Sequence, residues 1–564
     1  MPLHICKTIE GLSAEPAAII CVGGYAIVIQ NTFNNIQGDI SDKSCKVIKT
    51  KQPIYEIHTL MSKDKNNEQE NSNHRPSSSS SSSSTTTLGF STSSTFSHEA
   101  LSKRLLKFKE ITEDHAIQAA NPGGYYTGLW CRDSSYILKD FFLSGRIQEA
   151  LEQILVIWSH QIDPANDDRI VFGRGSPEMD FKPTLANKDT KVRFKGSLPT
   201  SLYHKRKLCE VFGKNPDIDS TALMISTTSW ILSRLSKENV SHSTAPTAVS
   251  STKSSSSSVH DFSDQVQKVL DFAVPRMHKA LQYLAARDID NDGLLEQNHN
   301  EDWMDSIMRA GKIVYSQACW ILALGNFSLL LQLQKKQERS IEEMVKLADS
   351  TIKGVEEKLW SEEDGAYIDI QETHHIGGPY RTLTQDISLY LVALTENTSR
   401  DSLSIDDYYH HSNKNLLHPK MIERLDRKEN KKEKNGGDRG SNYDRLIRTL
   451  DSIRNRGWKQ KWPLVTEVEL ISTGPWHLRP YQYHNHTFWP WATGIEMLAR
   501  SRFGQFKECN ILLSTLASEG HPHIHCFYEW LNPTNDSIGG VYPFRTGISA
   551  VRIAIADLLA KIRT

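Results

Sequence analysis

Two short segments, in distant parts of a chain of 564 residues, place carboxylic acids beside tryptophan. One is Asn300–Asp305, which reads Asn-Glu-Asp-Trp-Met-Asp, and the other is Tyr528–Pro533, which reads Tyr-Glu-Trp-Leu-Asn-Pro. Each follows sequence that is typical of a loop. A pair of carboxyls can move protons at a glycosidic bond, and flat aromatic rings pack against sugar faces. Either segment alone is equally compatible with solvated acids beside structural tryptophans, but together they favour a sugar-processing enzyme.

Two further loops carry polar and aromatic side chains of the same kind. Asn121–Asp133 is a glycine-rich aromatic loop that runs into a predicted helix. Its Arg132 offers a planar fork of donors for hydroxyl pairs, and its Asp133, followed by two serines, suits a helix N-terminus. The segment Gly474–Trp491 gathers aromatic and histidine side chains around one predicted helix start. So many polar tips at one place are typical of a site for a hydroxyl-rich ligand.

Charge and cysteine content exclude several other classes of protein. Lysine plus arginine (66) and aspartate plus glutamate (67) nearly balance, so charge predicts neither a nucleic-acid partner nor binding to an acidic membrane. The 8 cysteines are scattered without a Cys-x-x-Cys pair. This argues against a zinc ribbon, a redox pair or a secreted disulfide framework, and we expect a cytoplasmic protein.

The first 62 residues read as a small β-rich element. Ala17–Ile29 is apolar, but it is too short to span a bilayer and is interrupted by Gly23-Gly24. The pattern predicts a β-hairpin with a two-residue turn, and Lys46–Leu60 is a candidate for another strand.

Three polar tracts define the remaining organisation, because none has enough apolar surface to offset the entropy of ordering. We expect a linker at 63–98, rich in serine and threonine, and insertions near 237–258 and 401–441 within a single domain at 99–564. The most strongly biased segments are Asp64–Ser97, Ser241–Ser258 and Asp426–Ser441.

The large domain is predicted to be helical nearly throughout. Ile147–Trp158 and Val266–Leu284 have apolar residues at helical spacing on one face, whereas Ile313–Leu333 and Ala550–Ile562 are apolar on nearly every face. Amphipathic helices that alternate with apolar ones indicate an outer ring packed around an inner ring. Among the helical segments we count Ser134–Asn166 as one.

Three motifs in order resemble the amylo-α-1,6-glucosidase domain of glycogen debranching enzymes, and more broadly the six-hairpin glycosidases, which include glucoamylases. They are Gly128–Ser134, Asp292–Leu295 with Asp302–Asp305, and Tyr483–Pro490. The resemblance spans roughly Ala100 to the C-terminus. It implies a mainly α fold, an (α/α)6 barrel preceded by the β-rich element, and inverting hydrolysis of an α-glucosidic bond without metal or organic cofactor.

The resemblance also implies roles for individual residues. Asp305 matches the general acid, Glu529 the general base, and Arg132-Asp133 the pair that holds the terminal glucose. Trp303 and Met304 beside Asp305 would favour its protonated form. The expected substrate-binding residues are Trp130, Arg132, Asp133, Glu301, Asp302, Trp303, His484, Asn485, Trp489 and Trp530.

Several alternatives stay open from the sequence. Glu301, Asp302 and Glu296 are rival acids, and Glu178 with Asp180 forms another acidic loop, either a substrate contact or a plain loop. The preferred substrate is a glycogen-like glucan or oligosaccharide, and the alternative is a relative on the same barrel that acts on a small sugar, such as a trehalase, an invertase or a glycosyl-glycerate hydrolase. A third possibility is a carbohydrate-binding protein without catalysis.

Three other motifs do not support a site. Asp288–Gly293 begins like a calcium loop, but His299 stands where the twelfth-position glutamate is needed. His521–Cys526 alternates metal-capable side chains without a second ligand cluster. Gly173-x-Gly175 lacks the third glycine of a nucleotide-binding loop.

Overall fold

The computed structural model of the chain describes residues 4–5, 17–22, 25–30, 46–49, 97–116, 119–172, 184–243, 256–335, 338–373, 378–396, 442–467, 478–518 and 524–562. Two compact units result, Met1–Ser97 and His98–Thr564. Several segments that the sequence singles out lie outside the described residues. These are residues 64–96, 244–255 and 426–441, the pair Gly173 and Gly175, the acids Glu178 and Asp180, and His521, Pro522 and His523.

The first unit contains a four-stranded antiparallel sheet in the order β1-β2-β3-β4. Its strands are β1 His4–Ile5, β2 Ala17–Val22, β3 Tyr25–Gln30 and β4 Lys46–Lys49. Strands β2 and β3 pair antiparallel with Val22 opposite Tyr25, as the predicted hairpin requires, and Gly23 and Gly24 lie outside the described residues. The remainder of the predicted strand, 50–60, lies outside the described residues.

The second unit is built from helices. In chain order they are α1 His98–Ala116, α2 Cys131–Leu143, α3 Ile147–Ser159, α4 Lys188–Arg193, α5 Ile218–Ser243, α6 Ser256–Ala285, α7 Val314–Leu333, α8 Glu338–Gly354, α9 Ser388–Glu396, α10 Asn442–Ser452, α11 Pro490–Arg502, α12 Phe506–Ala517 and α13 Arg545–Ile562.

Six of the described helices form a closed inner ring. Helix α2 packs against α5, α5 against α7, α7 against α9, α9 against α11, α11 against α13, and α13 returns to α2. Six others, α1, α3, α6, α8, α10 and α12, pack on the outside of this ring, and they alternate with the inner helices along the chain. The predicted mainly α fold, an (α/α)6 barrel, is confirmed.

Inner and outer helices differ in how much of their surface is buried, which explains their different apolar patterns. Inner helix α7 is buried on nearly every side, whereas outer helix α8 buries only Met344, Thr351 and Gly354. Helix α7 is long and apolar enough to cross a membrane by length and composition, yet 89% of that window is buried inside the protein. Its apolar surface therefore serves as the wall of the barrel core.

Two helix boundaries differ from the sequence prediction. The segment Ser134–Asn166 is not one helix but α2 and α3, which are separated at Gly145. Gly145 has φ +77°, a left-handed conformation that ends a helix readily in glycine. Helix α5 also continues to Ser243 and α6 begins at Ser256, so both helices extend into 237–258, where the sequence predicts an insertion.

Short strands occupy the loops of the second unit. They are β5 Leu129–Trp130, β6 Arg169–Phe172, β7 Thr184–Leu185, β8 Ser201–Tyr203, β9 Leu208–Val211, β10 Gly311–Lys312, β11 Trp360–Ser361, β12 Ala366–Tyr367, β13 Asp369–Thr373, β14 Gly378–Thr382, β15 Trp458–Lys459, β16 Trp462–Pro463, β17 Trp530–Leu531 and β18 Ile538–Gly539. The largest sheet has five strands in the order β5-β8-β9-β6-β7. It stiffens the loops ahead of α2 and α5.

Contacts between first turns set the direction of the inner ring. Arg132 on α2 lies 3.6 Å from Asp219 on α5, Tyr315 on α7 donates to the same Asp219 at 3.2 Å, and Thr546 on α13 donates to Asp133 on α2 at 2.7 Å. Neighbouring inner helices therefore begin at the same end of the barrel, and each outer helix packs on the inner helix that it follows or, for α1, on α13. The loops that precede them therefore open at one end. These loops contain the segments with the candidate site residues.

A buried ion pair joins the last inner helix to the first. Arg552 on α13 donates from Nε to both oxygens of Asp140 on α2, at 3.0 and 2.9 Å. Its guanidinium also donates to the Lys109 carbonyl on α1 and to Ser144 Oγ. The two charged side chains are almost completely buried, so each depends on the other for compensation.

Replacing Arg552 with methionine should destabilise the protein by about 3–5 kcal/mol, because Asp140 is left as an uncompensated buried acid. Urea unfolding followed by circular dichroism measures the change. Lys103→Ala is the matched control, since its pair with Glu99 is exposed and contributes about 1 kcal/mol or less. Equal effects of the two substitutions would contradict a closing role for the Asp140–Arg552 pair.

Candidate active site

Glu529 lies in the loop ahead of α13 and is only 3% exposed. Its Oε1 accepts a hydrogen bond from the Tyr126 hydroxyl at 3.0 Å, and its Oε2 accepts one from the Val541 backbone N–H at 2.9 Å. Burial, with the charges of Asp133 and Asp305, raises the pKa of Glu529 to about 7, although both hydrogen bonds oppose the rise. Glu529 is therefore an oriented carboxyl that changes charge near neutral pH.

Gly540 permits this placement of Glu529. The glycine has φ +73°, and a Cβ there would lie 2.1 Å from Glu529 Oε2. Any side chain at this position would be strained by the backbone conformation and would displace the carboxylate.

Asp305 lies in the loop ahead of α7, and its side chain remains 20% exposed. Burial raises the pKa of Asp305 to about 7, and the charge of Asp302 adds to the effect, while Arg132 opposes it. His484 Nδ1 stands 3.9 Å from Asp305 Oδ1. Burial, with Arg132 and Arg309 nearby, lowers the pKa of His484 well below its usual value, so the neighbour of Asp305 is a neutral imidazole.

Arg132 and Asp133 occupy the first turn of α2, and the arginine is held from two sides. Its Nη2 is 3.1 Å from Asp133 Oδ2, and its Nη1 is 3.6 Å from Asp219 Oδ2 in the first turn of α5. Asp133 also accepts a hydrogen bond from Thr546 Oγ1 on α13 at 2.7 Å. Three inner helices thus fix the guanidinium, and its side chain is still 12% exposed.

A buried charge network supports the loop that carries Asp305. Arg309, fully buried, pairs with Asp302, Asp369 and Asp386 at 3.1, 2.7 and 2.7 Å. Trp303 Nε1 donates to Asp386 Oδ2 at 2.6 Å, so the same network holds the indole. The geometry accordingly gives Asp302 and Trp303 supporting roles, and it does not favour the substrate contacts expected from the sequence.

Glu301 likewise differs from the expectation of a sugar contact. It is 0% exposed, and its oxygens accept from the backbone and side-chain nitrogens of Asn215 and Asn298 at 2.8–2.9 Å. Arg287 Nη2 donates to Glu301 Oε2 at 2.6 Å. With five donors from the protein, Glu301 anchors the loop from within and presents no oxygen to a ligand.

Aromatic side chains from three loops meet around Asp305 and Glu529, the two carboxyls whose pKa values are raised. His484 stacks on Trp489 at 4.8 Å, and Trp303 lies edge-on to both rings at 5.0 and 5.4 Å. Tyr483 links this group to Trp530, with ring centroids 6.4 Å apart. Ser306 Oγ lies 2.7 Å from His484 Nδ1 and so ties the imidazole to the loop of Asp305.

The remaining predicted residues also lie in these loops. Trp130 ends β5 with its ring 5.1 Å from Tyr126, and its buried Nε1 has no hydrogen-bond partner among the described residues. Trp489 donates from Nε1 to Thr487 Oγ1 at 2.9 Å. Asn485 is buried, and its backbone N–H closes a turn on the Gln482 carbonyl at 2.9 Å. In this structure Asn485 shapes the loop.

Sequence reasoning did not single out Tyr126, Tyr483 or Asp219. Burial raises the pKa of Tyr483 well above its usual value, and the charges of Asp305 and Glu529 both add to the rise. Burial also raises the pKa of Tyr126, and the charges of Glu529 and Asp305 add to that rise. Both tyrosines belong to motifs visible in the sequence, but Asp219 carries no local signal, since only the adjacency of α2 and α5 brings it to Arg132.

Two groups of side chains in the described part of the chain have metal-ligating types, and internal partners account for both. His160 Nδ1 is 2.8 Å from Asp168 Oδ2 and 3.9 Å from Cys209 Sγ, and its Nε2 is hydrogen-bonded to His204 at 2.8 Å. In the other group, Asp288, Asp290 and Glu296, the Lys312 ammonium lies 2.7 Å from Asp290 and 3.3 Å from Glu296. That lysine supplies a positive charge where a cation would bind.

Comparisons with known proteins give structural similarity only. No protein-family model matches the chain, and no curated protein matches its sequence. A GH63 mannosylglycerate hydrolase from Thermus thermophilus in complex with glucose has 13% identity and a TM-score of 0.45, covering 79% of this chain and 99% of its own. A structure described as a wild-type glycosidase has 11% identity and a TM-score of 0.44, covering 82% and 99%. Similarity at this level does not assign the chain to a family.

Replacing Asp305 with asparagine should stabilise the protein above neutral pH. The folded-state pKa of Asp305 is raised to about 7, so the stability it contributes is complete below its unfolded pKa of about 4 and is lost as pH rises through about 7. Asparagine does not ionise, so the variant does not lose stability in this way as the pH rises. The melting temperature of Asp305→Asn should therefore exceed that of the wild type most at about pH 8, and less at about pH 5.

Asp536→Asn is the control for this measurement, because Asp536 is an exposed acid in the β17–β18 hairpin. It should leave the melting temperature nearly unchanged at both pH values. A pH-independent difference between Asp305→Asn and the wild type would show that Asp305 does not titrate as described.

Proposed function

We propose that the protein is a glycoside hydrolase that cleaves α-glucosidic bonds by direct attack of water, with inversion at the anomeric carbon. The observation that carries this proposal is the pair of carboxyls at one mouth of the barrel, the buried Glu529 and the partly exposed Asp305, whose pKa values are both raised to about 7. Two carboxyls that change charge near neutral pH, in an aromatic pocket, match the needs of glycosidic cleavage.

Asp305 is the proposed general acid. It lies beside a neutral imidazole and the buried Trp303 loop, surroundings that favour a protonated carboxyl. It would give its proton to the glycosidic oxygen as the bond to the leaving sugar breaks.

Glu529 is the proposed general base. The Tyr126 hydroxyl and the Val541 N–H both donate to it, which stabilises its ionised form and fixes its orientation. It would take a proton from the attacking water. The proton that Asp305 gives and the one that Glu529 takes balance the hydrolysis.

The terminal sugar is proposed to lie against Arg132, Asp133 and Trp130. Two carboxylates hold the Arg132 guanidinium in place, so its exposed part meets a ligand in a fixed orientation. Trp130 Nε1 is a buried donor without a partner in the described structure, and leaving such a group unpaired costs about 1–3 kcal/mol. A sugar hydroxyl would satisfy it.

Asp305→Asn and Glu529→Gln should each lower kcat by about 10²–10⁴-fold, because each removes the group that transfers a proton. The assay is reducing-sugar release from isomaltose, limit dextrin, maltose, trehalose and sucrose, which also separates α-glucan hydrolysis from the small-sugar alternatives. The pH profile of kcat/KM should be a narrow bell centred near 7. Asp305→Asn should lose the alkaline limb, since the protonated acid disappears as pH rises, and Glu529→Gln should lose the acidic limb.

The exposed Asp536→Asn serves again as control, and it should keep kcat within about 2-fold of the wild type. Near-normal turnover by Asp305→Asn would reject Asp305 as the acid. Absence of hydrolysis of every substrate by the folded wild type would instead favour a carbohydrate-binding protein.

The first product should have the inverted anomeric configuration, because water activated by Glu529 attacks the face opposite the leaving group. Proton NMR during the first minutes of hydrolysis, before mutarotation, measures the anomer. Product with retained configuration would assign Glu529 as a covalent nucleophile and would reject its role as a base.

A further inference from the structure

Three tyrosines stand on the rim of the barrel mouth next to Glu529. Tyr125 is 63% exposed and Tyr542 is 52% exposed, and Tyr528 is partly exposed. We refer to Tyr125, Tyr528 and Tyr542 as the rim tyrosines. Two of them are direct chain neighbours of the inner site residues, since Tyr125 precedes Tyr126 and Tyr528 precedes Glu529.

Two loops that meet at the mouth bring the rim tyrosines together. The backbone at Gly124 lies against Val541, so that a Cβ there would be 2.6 Å from Val541 Cβ and 3.5 Å from the Tyr542 nitrogen. The loop is pinned where the Arg545 N–H donates to the Pro122 carbonyl at 2.7 Å. The backbone of the loop that carries Tyr125 therefore lies against the backbone of the loop that carries Tyr542.

Tyrosine rings extend outward from the hydrogen bond between Tyr126 and Glu529. Tyr126, which donates to Glu529, has its ring centroid 4.8 Å from that of Tyr125. In the second loop, the Tyr528 and Tyr542 rings are 5.1 Å apart and tilted by 42°, and Tyr542 also lies 6.4 Å from His115 of α1. Exposed tyrosine rings thus belong to both loops that donate hydrogen bonds to Glu529, one through Tyr126 and the other through Val541.

Largely exposed aromatic side chains are uncommon among the described residues. Among the described residues, the aromatic side chains that are largely exposed are Tyr125, Tyr443 and Tyr542, so two of the three lie at this rim. Clustered exposed apolar surface is a mark of binding sites. A tyrosine presents a flat apolar face and a hydroxyl, a combination that suits a sugar ring with its own apolar face and hydroxyl edge.

We infer that the rim tyrosines form an outer binding platform for an additional sugar ring of an oligosaccharide substrate. The inference rests on the proposed function, and it narrows the substrate class to saccharides longer than the unit cleaved. A ring on the platform lies outside Glu529, one or more units away from the scissile bond. Its occupant is a carbohydrate because the rim tyrosines belong to the same two loops that hold Glu529 in the proposed sugar site.

The double variant Tyr125→Ala/Tyr542→Ala tests this platform. Aromatic contacts contribute about 0.5–1.5 kcal/mol each, so losing two should reduce kcat/KM on a heptasaccharide by about 5- to 150-fold. The substrates are maltose to maltoheptaose and isomaltose to isomaltoheptaose. The loss should grow with chain length, be smallest on the disaccharide, and arise mainly from KM. Tyr443→Ala is the matched control, because Tyr443 is an exposed tyrosine on outer helix α10.

Two outcomes would overturn the platform while leaving the hydrolase intact. One is an equal loss on disaccharide and heptasaccharide, which would indicate a structural role for the tyrosines. The other is no loss on any substrate, which would assign the rim to a different occupant, such as a protein.

A binding measurement separates failure of the platform from failure of the proposed function. Isothermal titration of maltoheptaose and isomaltoheptaose into the full chain needs no hydrolysis. Even if the wild type hydrolyses nothing, at least 5-fold weaker binding by the double variant than by Tyr443→Ala supports the platform. Equal binding by these two variants, or no binding by the wild type, rejects it.

Discussion

The parallel direction of the six inner helices is the constraint on which the site depends. The first turns of neighbouring inner helices contact one another, as Asp219 with Tyr315 and Asp133 with Thr546, so the loops that enter these helices open at the same end. Residues that are hundreds of positions apart, such as Tyr126 and Glu529, are thereby brought within hydrogen-bonding distance. A ring of helices with mixed directions would divide the same loops between two ends of the barrel and separate these groups.

This arrangement also explains why so many charges are buried near the mouth. Arg309 faces three carboxylates, and Arg132 faces two, all contributed by loops or first turns at the start of inner helices. Breaking such a pair is strongly destabilising, whereas the intact pairs hold each loop in one geometry. The buried network is therefore a positioning device for Asp305 and for the guanidinium of Arg132.

Burial of Asp305 and Glu529 lowers the stability of the folded protein but favours the proposed chemistry. Burial raises the pKa values of both carboxyls to about 7. A carboxyl with a raised pKa lowers the free energy of unfolding at pH values where it is ionised. The surrounding core offsets this cost, since the inner helices are almost completely buried. The same burial that is unfavourable for folding sets the charge states that proton transfer at neutral pH requires.

From the sequence alone, the apolar and amphipathic helix patterns determined the two-ring architecture, because burial acts on every turn of a helix and leaves a periodic signal. The patterns of Arg132-Asp133, Trp303–Asp305 and Glu529-Trp530 likewise identified the loops of the candidate site. The sequence did not resolve which acid of Glu301, Asp302 and Asp305 faces the pocket, since all three lie within five residues. Only tertiary structure decided this: donors from Asn215, Asn298 and Arg287 occupy Glu301, Arg309 pairs with Asp302, and Asp305 keeps exposed surface in the site. Such partners come from distant parts of the chain, so no local pattern records them.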